Sequence, residues 1–272
     1  MKVKIILAFI LALSAWQINA DNSEYISGQA GKKEAESYSK IKNISTSYLA
    51  NRDLQPWLDL VKGKQALDYG SGTGASINFL LAKGFKVTGA DINPDMIAQA
   101  QKAHPKIPIA FAQDAQLPFA DKSFDLVFSS LVLFELKNKT EIQQYAEQAR
   151  RVLKDNGYFV AITGSSHMHD PKYKSTLRKS DFPENNNAAS GDIVRVHLNE
   201  VGITFSDYLW FENDYRQAFE QAGLPICAVH YPLGKNGEDY QWVEETTRSP
   251  VLLILAAKDC KLVTTGSQLL NR

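Results

Sequence analysis

Apolar residues along this chain fall into short continuous runs, separated by stretches in which they recur every three or four positions. The runs lie at 64–69, 85–90, 107–112, 124–129 and 158–163, and the wider spacing occupies 75–83, 93–104 and 140–153. A continuous run of this length predicts a strand buried on both faces, and the wider spacing predicts a helix laid against it. Gly84 just past the first helix and Pro94 in the first turn of the second agree with those boundaries. Strand and helix alternating in this way predict an α/β, doubly wound, mostly parallel sheet with helices on both faces.

The alternation stops after Thr163. Residues 164–208 contain Pro171, Pro183 and the run Glu184-Asn-Asn-Asn187. They read as too polar for a core strand, and so as an insert that serves as a lid or substrate loop at the ligand edge. A helix at 211–222, stopped by Gly223, and two last strands at 225–231 and 251–257 complete the pattern. Upstream, Ala35, Tyr38, Ile41, Tyr48, Leu49, Leu54, Trp57 and Leu58 are spaced for one or two helices, broken near 43–47. These form an N-terminal helical cap within 21–63, whose polar start, 21–33, is expected to be poorly ordered. Tyr38 and Trp57 read as core anchors, and Tyr38 is also placed to cover a ligand. The main domain is expected over 64–260 and a frayed tail over 261–272.

The first twenty residues add a different signal. Lys2 and Lys4 precede the apolar run 5–13, and small residues lead to Ala20. That is the pattern of a cleaved signal peptide, 1–20, with a run too short for a permanent bilayer span. The expected location is secreted or periplasmic, or cytoplasmic if the segment is misread, with no stable membrane span after cleavage. Lys plus Arg and Asp plus Glu balance at 30 each, which leaves no basic field for nucleic acid. Cys227 opens the sixth strand and Cys260 follows the seventh, so a disulfide across that hairpin and two free thiols both remain open.

Chemistry concentrates where the first strand ends, at Ala66-Leu-Asp-Tyr-Gly-Ser-Gly-Thr-Gly-Ala75. Gly70, Gly72 and Gly74 suit a sharp turn that lets backbone approach a ligand closely. Asp91, at the end of the second strand, lies 19 residues after Gly72, the distance at which a carboxylate reaches a ribose diol. A dinucleotide fits that spacing, and Gly70-x-Gly72-x-x-Ala75 matches its looser pattern. Asp68, however, would repel a pyrophosphate. A third acid, Asp114, closes the third strand, and three carboxylates at successive strand ends suit a cationic nucleoside better.

In these stretches the chain resembles the class I S-adenosylmethionine-dependent methyltransferases. The resemblance runs through Leu67-Asp-Tyr-Gly-Ser-Gly-Thr-Gly74, Gly89-Ala-Asp-Ile-Asn-Pro-Asp-Met96, Gln113-Asp-Ala-Gln-Leu-Pro-Phe119, Ser123-Phe-Asp-Leu-Val-Phe128 and Arg151-Val-Leu-Lys-Asp-Asn-Gly157. It implies a Rossmann-like seven-stranded sheet with an antiparallel last strand, and S-adenosyl-L-methionine as cofactor. Asp68, Gly70 and Gly72 would line the methionine end and Asp91 would take the ribose hydroxyls. Ile92 and Met96 would pack on adenine, Asp114 would meet the adenine amino group beside Ala115, and Ser130 and Leu131 would border the methyl group.

A general base is needed only if the acceptor must lose a proton. Glu135, His167 and His169 are the candidates, with Asp170 and His197 in the same region. His167-Met-His169-Asp170 lacks further clustered ligands, and no metal is expected. The Ser129-Ser-Leu-Val132 stretch replaces the Asn/Asp-Pro-Pro-aromatic motif of nucleic-acid amino-methylating enzymes, and the double-glutamate loop of arginine methyltransferases is missing. A small-molecule acceptor is the expected class, under a roof from Tyr173, Phe182, Phe205, Tyr208 and Trp210. The alternatives are an NAD(P)-dependent oxidoreductase and a non-catalytic cofactor-binding module.

Overall fold

The computed structural model describes residues 24–25, 31–41, 44–113 and 116–264. The expected signal segment 1–20, nearly all of 21–30, and the tail from 265 lie outside them. In chain order the elements are β1 (Glu24–Tyr25), α1 (Lys32–Tyr38), α2 (Ser45–Asp53), α3 (Gln55–Leu58), β2 (Gln65–Tyr69), α4 (Ala75–Ala82), β3 (Lys86–Asp91), α5 (Pro94–Ala103), β4 (Ile109–Phe111), β5 (Phe124–Ser130), α6 (Lys139–Val152) and β6 (Leu153–Gly164). There follow β7 (Arg178–Lys179), β8 (Ile193–Leu198), β9 (Ile203–Tyr208), α7 (Glu212–Gln221), β10 (Ile226–His230), β11 (Val251–Ala257) and α8 (Lys261–Thr264).

The main sheet has seven strands in the order β10-β11-β6-β5-β2-β3-β4. The pairs from β6 to β4 are parallel, and β11 runs antiparallel to both β6 and β10. The last strand is therefore threaded between two others, which explains why all seven residues of Val-Leu-Leu-Ile-Leu-Ala-Ala are buried. One face packs Ile142, Tyr145, Ala149, Tyr215 and Phe219 of α6 and α7 against Leu67, Phe159 and Ile254. The other packs Leu49, Leu54, Trp57, Ile77 and Leu80 against Ala66, Phe128 and Leu253. Asn93 starts α5 by accepting from the Asp95 and Met96 backbone N–H groups, with Pro94 next in line.

Two local expectations change. Asn156 and Gly157 do not turn the chain: β6 begins at Leu153 and runs through them, with a register shift against β5 between Phe124 and Leu126. A side chain at Gly157 would lie 3.0 Å from the Asp125 carbonyl, so the strands approach only because glycine stands there. Residues 164–208 are not a bare loop either. They carry β7, β8 and β9, and the short β1 pairs in parallel with β9 to complete a second, four-stranded sheet in the order β1-β9-β8-β7. Val194, Val196 and Leu198 are buried on alternate positions of β8, and the last two pack on Met168 and Ile44. A strand with one apolar face is strictly alternating, not continuous, and so escapes a search for apolar runs.

Cys227 and Cys260 are joined by a disulfide, with their Cα atoms 5.1 Å apart and a sequence separation of 33. It ties the edge strand β10 to the segment after β11. For a loop of this length the restriction of the unfolded chain amounts to about 3–4 kcal/mol. Cys227→Ser is expected to lower unfolding stability by that order. Equal denaturant midpoints with and without reductant would contradict the bond's contribution. Among the described residues no helix is long and apolar enough to cross a membrane.

Candidate active site

The carboxyl ends of β2, β3, β5 and β6 all open on one edge of the sheet, because those strands are parallel. The turn after β2 lies there. Gly70, Gly72 and Gly74 have φ of 79°, 49° and 90°, a region that only glycine enters freely. The Gly70 and Ser71 N–H groups donate to the Ala90 carbonyl at 2.8 and 3.0 Å, which locks the turn to the end of β3. A Cβ at Gly70 would lie 2.4 Å from Val132 Cγ2, whereas nothing stands within 4 Å of one at Gly72. The turn is thus closed over Val132 and open at Gly72. Gly70→Ala is expected to unfold this turn, and Val132→Ala beside it restores space but not the φ requirement. Thermal denaturation of the single and double variants checks this: full recovery in the double variant would show that φ does not matter there.

Asp68 is fully buried at the end of β2, and neither carboxylate oxygen has a hydrogen-bond partner among the described residues. The same is true of the Ser71 hydroxyl. Burial, with the nearby charge of Asp91, pushes the Asp68 carboxyl up to about 8. Asp91 contrasts with it. One of its oxygens accepts from Gly72 N–H at 2.7 Å and the other from Asn93 N–H at 2.8 Å. Burial raises its carboxyl above the usual range and these backbone donors partly offset that. Asp91 therefore shapes the turn, with lone pairs left for a ligand, while the Asp68 carboxyl is held by no hydrogen bond among the described residues.

The other expected cofactor residues divide. Met96 is buried against Ala35 and Tyr38, which joins α1 to α5. Tyr38 also meets the Phe205 ring edge-on at 5.6 Å, so it connects the N-terminal cap to the insert. Ile92 is 52% exposed and packs on no core cluster. Ser130 ends β5, and Leu131 follows with φ of 60°, its N–H donating to the Ile162 carbonyl at 2.8 Å. A left-handed leucine is costly and is held here beside Val132, the residue that closes on Gly70. Asp114 and Ala115 lie outside the described residues.

The three base candidates are separated by their surroundings. Glu135 ends a short turn, Leu133–Glu135, after β5; withdrawal from water, then the charges of Asp207 and Asp91, hold its carboxyl well above the usual range. His167 is half-buried with Arg248 Nη2 at 3.2 Å from its Nδ1, and burial followed by that guanidinium lowers its basicity. His169 is buried and its Nε2 lies 2.8 Å from Asp207 Oδ2. Asp170 is paired with Arg248 at 2.5 Å, and His197 meets Thr204 Oγ1 at 2.9 Å on the insert. Among the described residues no group of three or more His, Cys, Asp or Glu side chains converges as a metal site.

Two residues went unnoticed in the sequence. Tyr145 of α6 stacks on Tyr69 with ring centroids 3.8 Å apart, and its hydroxyl donates to the Tyr69 carbonyl at 2.7 Å, 2.9 Å from Ser129 Oγ. It braces the strand ends on either side of the glycine turn. Its only signal was membership of the apolar face of α6. Asp207 was hidden inside the polar insert and becomes recognisable only when β9 is formed. Of the expected aromatic roof, Trp210 is buried with its Nε1–H on the Leu136 carbonyl at 2.9 Å, and Tyr208 packs on the same core. Tyr173 is buried with its hydroxyl on the Arg248 carbonyl, and Phe182 lies under the Arg195 guanidinium.

Known proteins share part of this sequence and this fold. Residues 67–161 match the profile of a methyltransferase domain. A demethylmenaquinone methyltransferase of Tropheryma whipplei (strain Twist) is 40% identical over 106 residues, 38% of this chain and 43% of that protein. The match thus spans less than half the length of that relative. Among solved structures, an S-adenosylmethionine-dependent methyltransferase from Mesorhizobium loti superposes with a TM-score of 0.55 at 21% identity, over 78% of this chain and 97% of its own. The CcbJ methyltransferase from Streptomyces caelestis gives 0.56 at 16% identity, over 82% and 95%. The sheet order, the antiparallel β11 and these superpositions agree: residues 67–161 carry a methyltransferase-domain sequence on the class I methyltransferase fold.

Proposed function

We propose that the protein is an S-adenosyl-L-methionine-dependent methyltransferase acting on a small molecule. The observation that carries this is Asp68, a buried carboxylate with both oxygens unpartnered at the mouth of a glycine turn. A buried carboxyl with no hydrogen-bond partner among the described residues is costly to keep there, and costlier to ionise, unless a ligand completes it. S-adenosylmethionine brings an ammonium and a sulfonium, and the open approach at Gly72 lets a nucleoside lie against backbone. A nicotinamide dinucleotide would bring a pyrophosphate to the same corner and raise the cost. In this reading Asp91 also accepts from the ribose, while Met96 and Ile92 flank the base. The cofactor supplies the activated methyl group. The protein's task is to hold the acceptor in line with it and to exclude water.

A demethylmenaquinone methyltransferase among the relatives favours a quinone-type small-molecule acceptor, and the balanced net charge favours no polynucleotide. Methyl transfer from labelled donor to naphthohydroquinone and to a panel of small phenols and amines tests the activity. Binding of the donor without transfer to any of them would favour a non-catalytic module. Tight binding of NADH in a fluorescence titration would favour an oxidoreductase.

We also propose that the chain is exported. The Lys2–Ala20 pattern and the Cys227–Cys260 disulfide both suit an oxidising compartment. Because the donor is made in cytosol, such a protein would act where donor is delivered to it. Mass spectrometry of the native N-terminus checks this: a chain starting at Met1 in the cytosol refutes it.

A further inference from the structure

We propose that Tyr145 is a positioning residue of this site: its hydroxyl sets the width of the cleft between β2 and β5, and so where the donor methyl group lies. The proposal rests on the methyltransferase reading above. In the sheet order β6-β5-β2-β3 the chain order reverses between β5 and β2, which is where an open α/β sheet parts to admit a ligand. The parting has a definite start. β2 pairs with β5 from Ala66↔Leu126 to Asp68↔Phe128 and stops there. Tyr69 still pairs with Ala90 of β3, and Ser129 and Ser130 still pair with Ala161 and Ile162 of β6. Past Asp68 the edge is thus two halves. The β2–β3 half carries the glycine turn and Asp91, assigned to the donor's methionine and ribose. The β5–β6 half carries Ser130 and Leu131, assigned to its methyl group.

Tyr145 occupies the place of the next rung, where Tyr69 and Ser129 would be the partners. Its hydroxyl oxygen is 2.7 Å from the Tyr69 carbonyl and 2.9 Å from Ser129 Oγ. A phenol has one proton and a carbonyl can only accept, so Tyr145 donates to Tyr69 and the Ser129 hydroxyl donates to Tyr145. One side-chain oxygen therefore holds the two strand ends at the span of two hydrogen bonds. That oxygen is itself fixed. The ring is buried, stacks face to face on Tyr69 with 5° between the planes, and meets Phe159 edge-on at 6.5 Å. A packing contact crosses the same gap, where Val132 of the β5 half closes on Gly70 of the β2 half.

Filling the core does not require this hydroxyl. Tyr145 shares the apolar face of α6 with Ile142, Ala146, Ala149 and Val152, and a phenylalanine would keep the stack. Burying the polar group is tolerable because both partners take it up. The Tyr69 carbonyl also belongs to the same planar peptide unit as Gly70 N–H, which donates to the Ala90 carbonyl at 2.8 Å. Tyr145 thus fixes the first plane of the glycine turn as well as its distance from the strand end that leads to Leu131. In-line transfer loses rate steeply when the reacting atoms are misplaced, so this spacing bears on turnover more than on donor affinity.

The competing explanation is that the hydroxyl only stabilises the core. Donor carrying a carbon-13 methyl group separates the two, because its bound resonance reports the surroundings of the methyl and needs no turnover. With the full-length protein, Tyr145→Phe is expected to bind S-adenosylmethionine with near wild-type affinity by calorimetry, and its bound methyl resonance should be displaced or split. Ser129→Ala leaves the bond to Tyr69 in place and should displace the resonance by less. On naphthohydroquinone kcat of Tyr145→Phe should fall by about tenfold or more with donor KM little changed. A lowered melting temperature with the wild-type methyl resonance in Tyr145→Phe overturns the proposal, and so does an unchanged kcat. Should Tyr145→Phe fail to fold or to bind the donor, Ser129→Ala decides, and an unmoved resonance there overturns the proposal as well. Where wild type leaves the hydroquinone unmethylated, the resonance decides alone. Failure of wild type to bind the donor is a different result, and removes the methyltransferase reading itself.

Discussion

Asp68→Asn is expected to make the free protein more stable at neutral pH while removing its affinity for the cofactor. In the native state the Asp68 carboxyl is raised from 3.8 to about 8 by burial and by Asp91. Below the lower value both native and unfolded chains hold the proton, and the group does not matter. As pH rises through it the unfolded chain ionises and the native one does not. Stability therefore falls across the interval up to about 8, by ~1.4 kcal/mol per unit in the limit. Glu135 adds a fall of the same sign, whereas the lowered carboxyls of Asp125, Asp170 and Asp214 act at acid pH in the opposite sense. The difference between wild type and Asp68→Asn isolates the one group. Denaturant unfolding at several pH values should show the variant gaining on wild type as pH rises from acid to neutral. Parallel curves would mean that Asp68 is ionised and satisfied in the native protein.

Asp91→Ala is expected to damage both fold and function. It removes the acceptor of the Gly72 and Asn93 N–H groups, each buried or half-buried. Leaving two such donors unmade costs about 1–3 kcal/mol apiece. It also deprives the site of the carboxylate assigned to the ribose. Melting temperature and calorimetric affinity for S-adenosylmethionine should therefore fall together. That distinguishes it from Asp68→Asn, where they move in opposite directions. Unchanged cofactor affinity in Asp91→Ala would sink the ribose assignment.

These two aspartates mark how much of the site was legible beforehand. Their placement followed from strand ends and a spacing of 19 residues, both local properties of a βαβ unit. Their different roles were not legible, because which carboxylate the turn itself satisfies depends on Gly72 and Asn93 folding back onto Asp91. The seven-stranded sheet was readable because its strands are buried on both faces and so read as continuous apolar runs. The second sheet was not: β8 alternates, β7 and β1 have two residues each, and β9 is half polar. With that sheet unread, Asp207 could not be brought to His169, which lies 38 residues away. Leu131 was named from the motif alone, and only the backbone reveals that it is held left-handed beside Val132, the residue that closes on Gly70.

The buried acid at the turn also predicts what cofactor binding does to protons. A ligand ammonium or sulfonium near Asp68 favours its ionised form, so a carboxyl held neutral in the free protein must give up its proton on binding. Calorimetric titration of the full-length protein with S-adenosylmethionine, in neutral buffers of different ionisation enthalpy, measures this directly. The expected result is saturable binding with release of up to one proton in wild type and none in Asp68→Asn. Absence of binding, or binding with no proton released, would contradict the assignment of this turn to a cationic nucleoside.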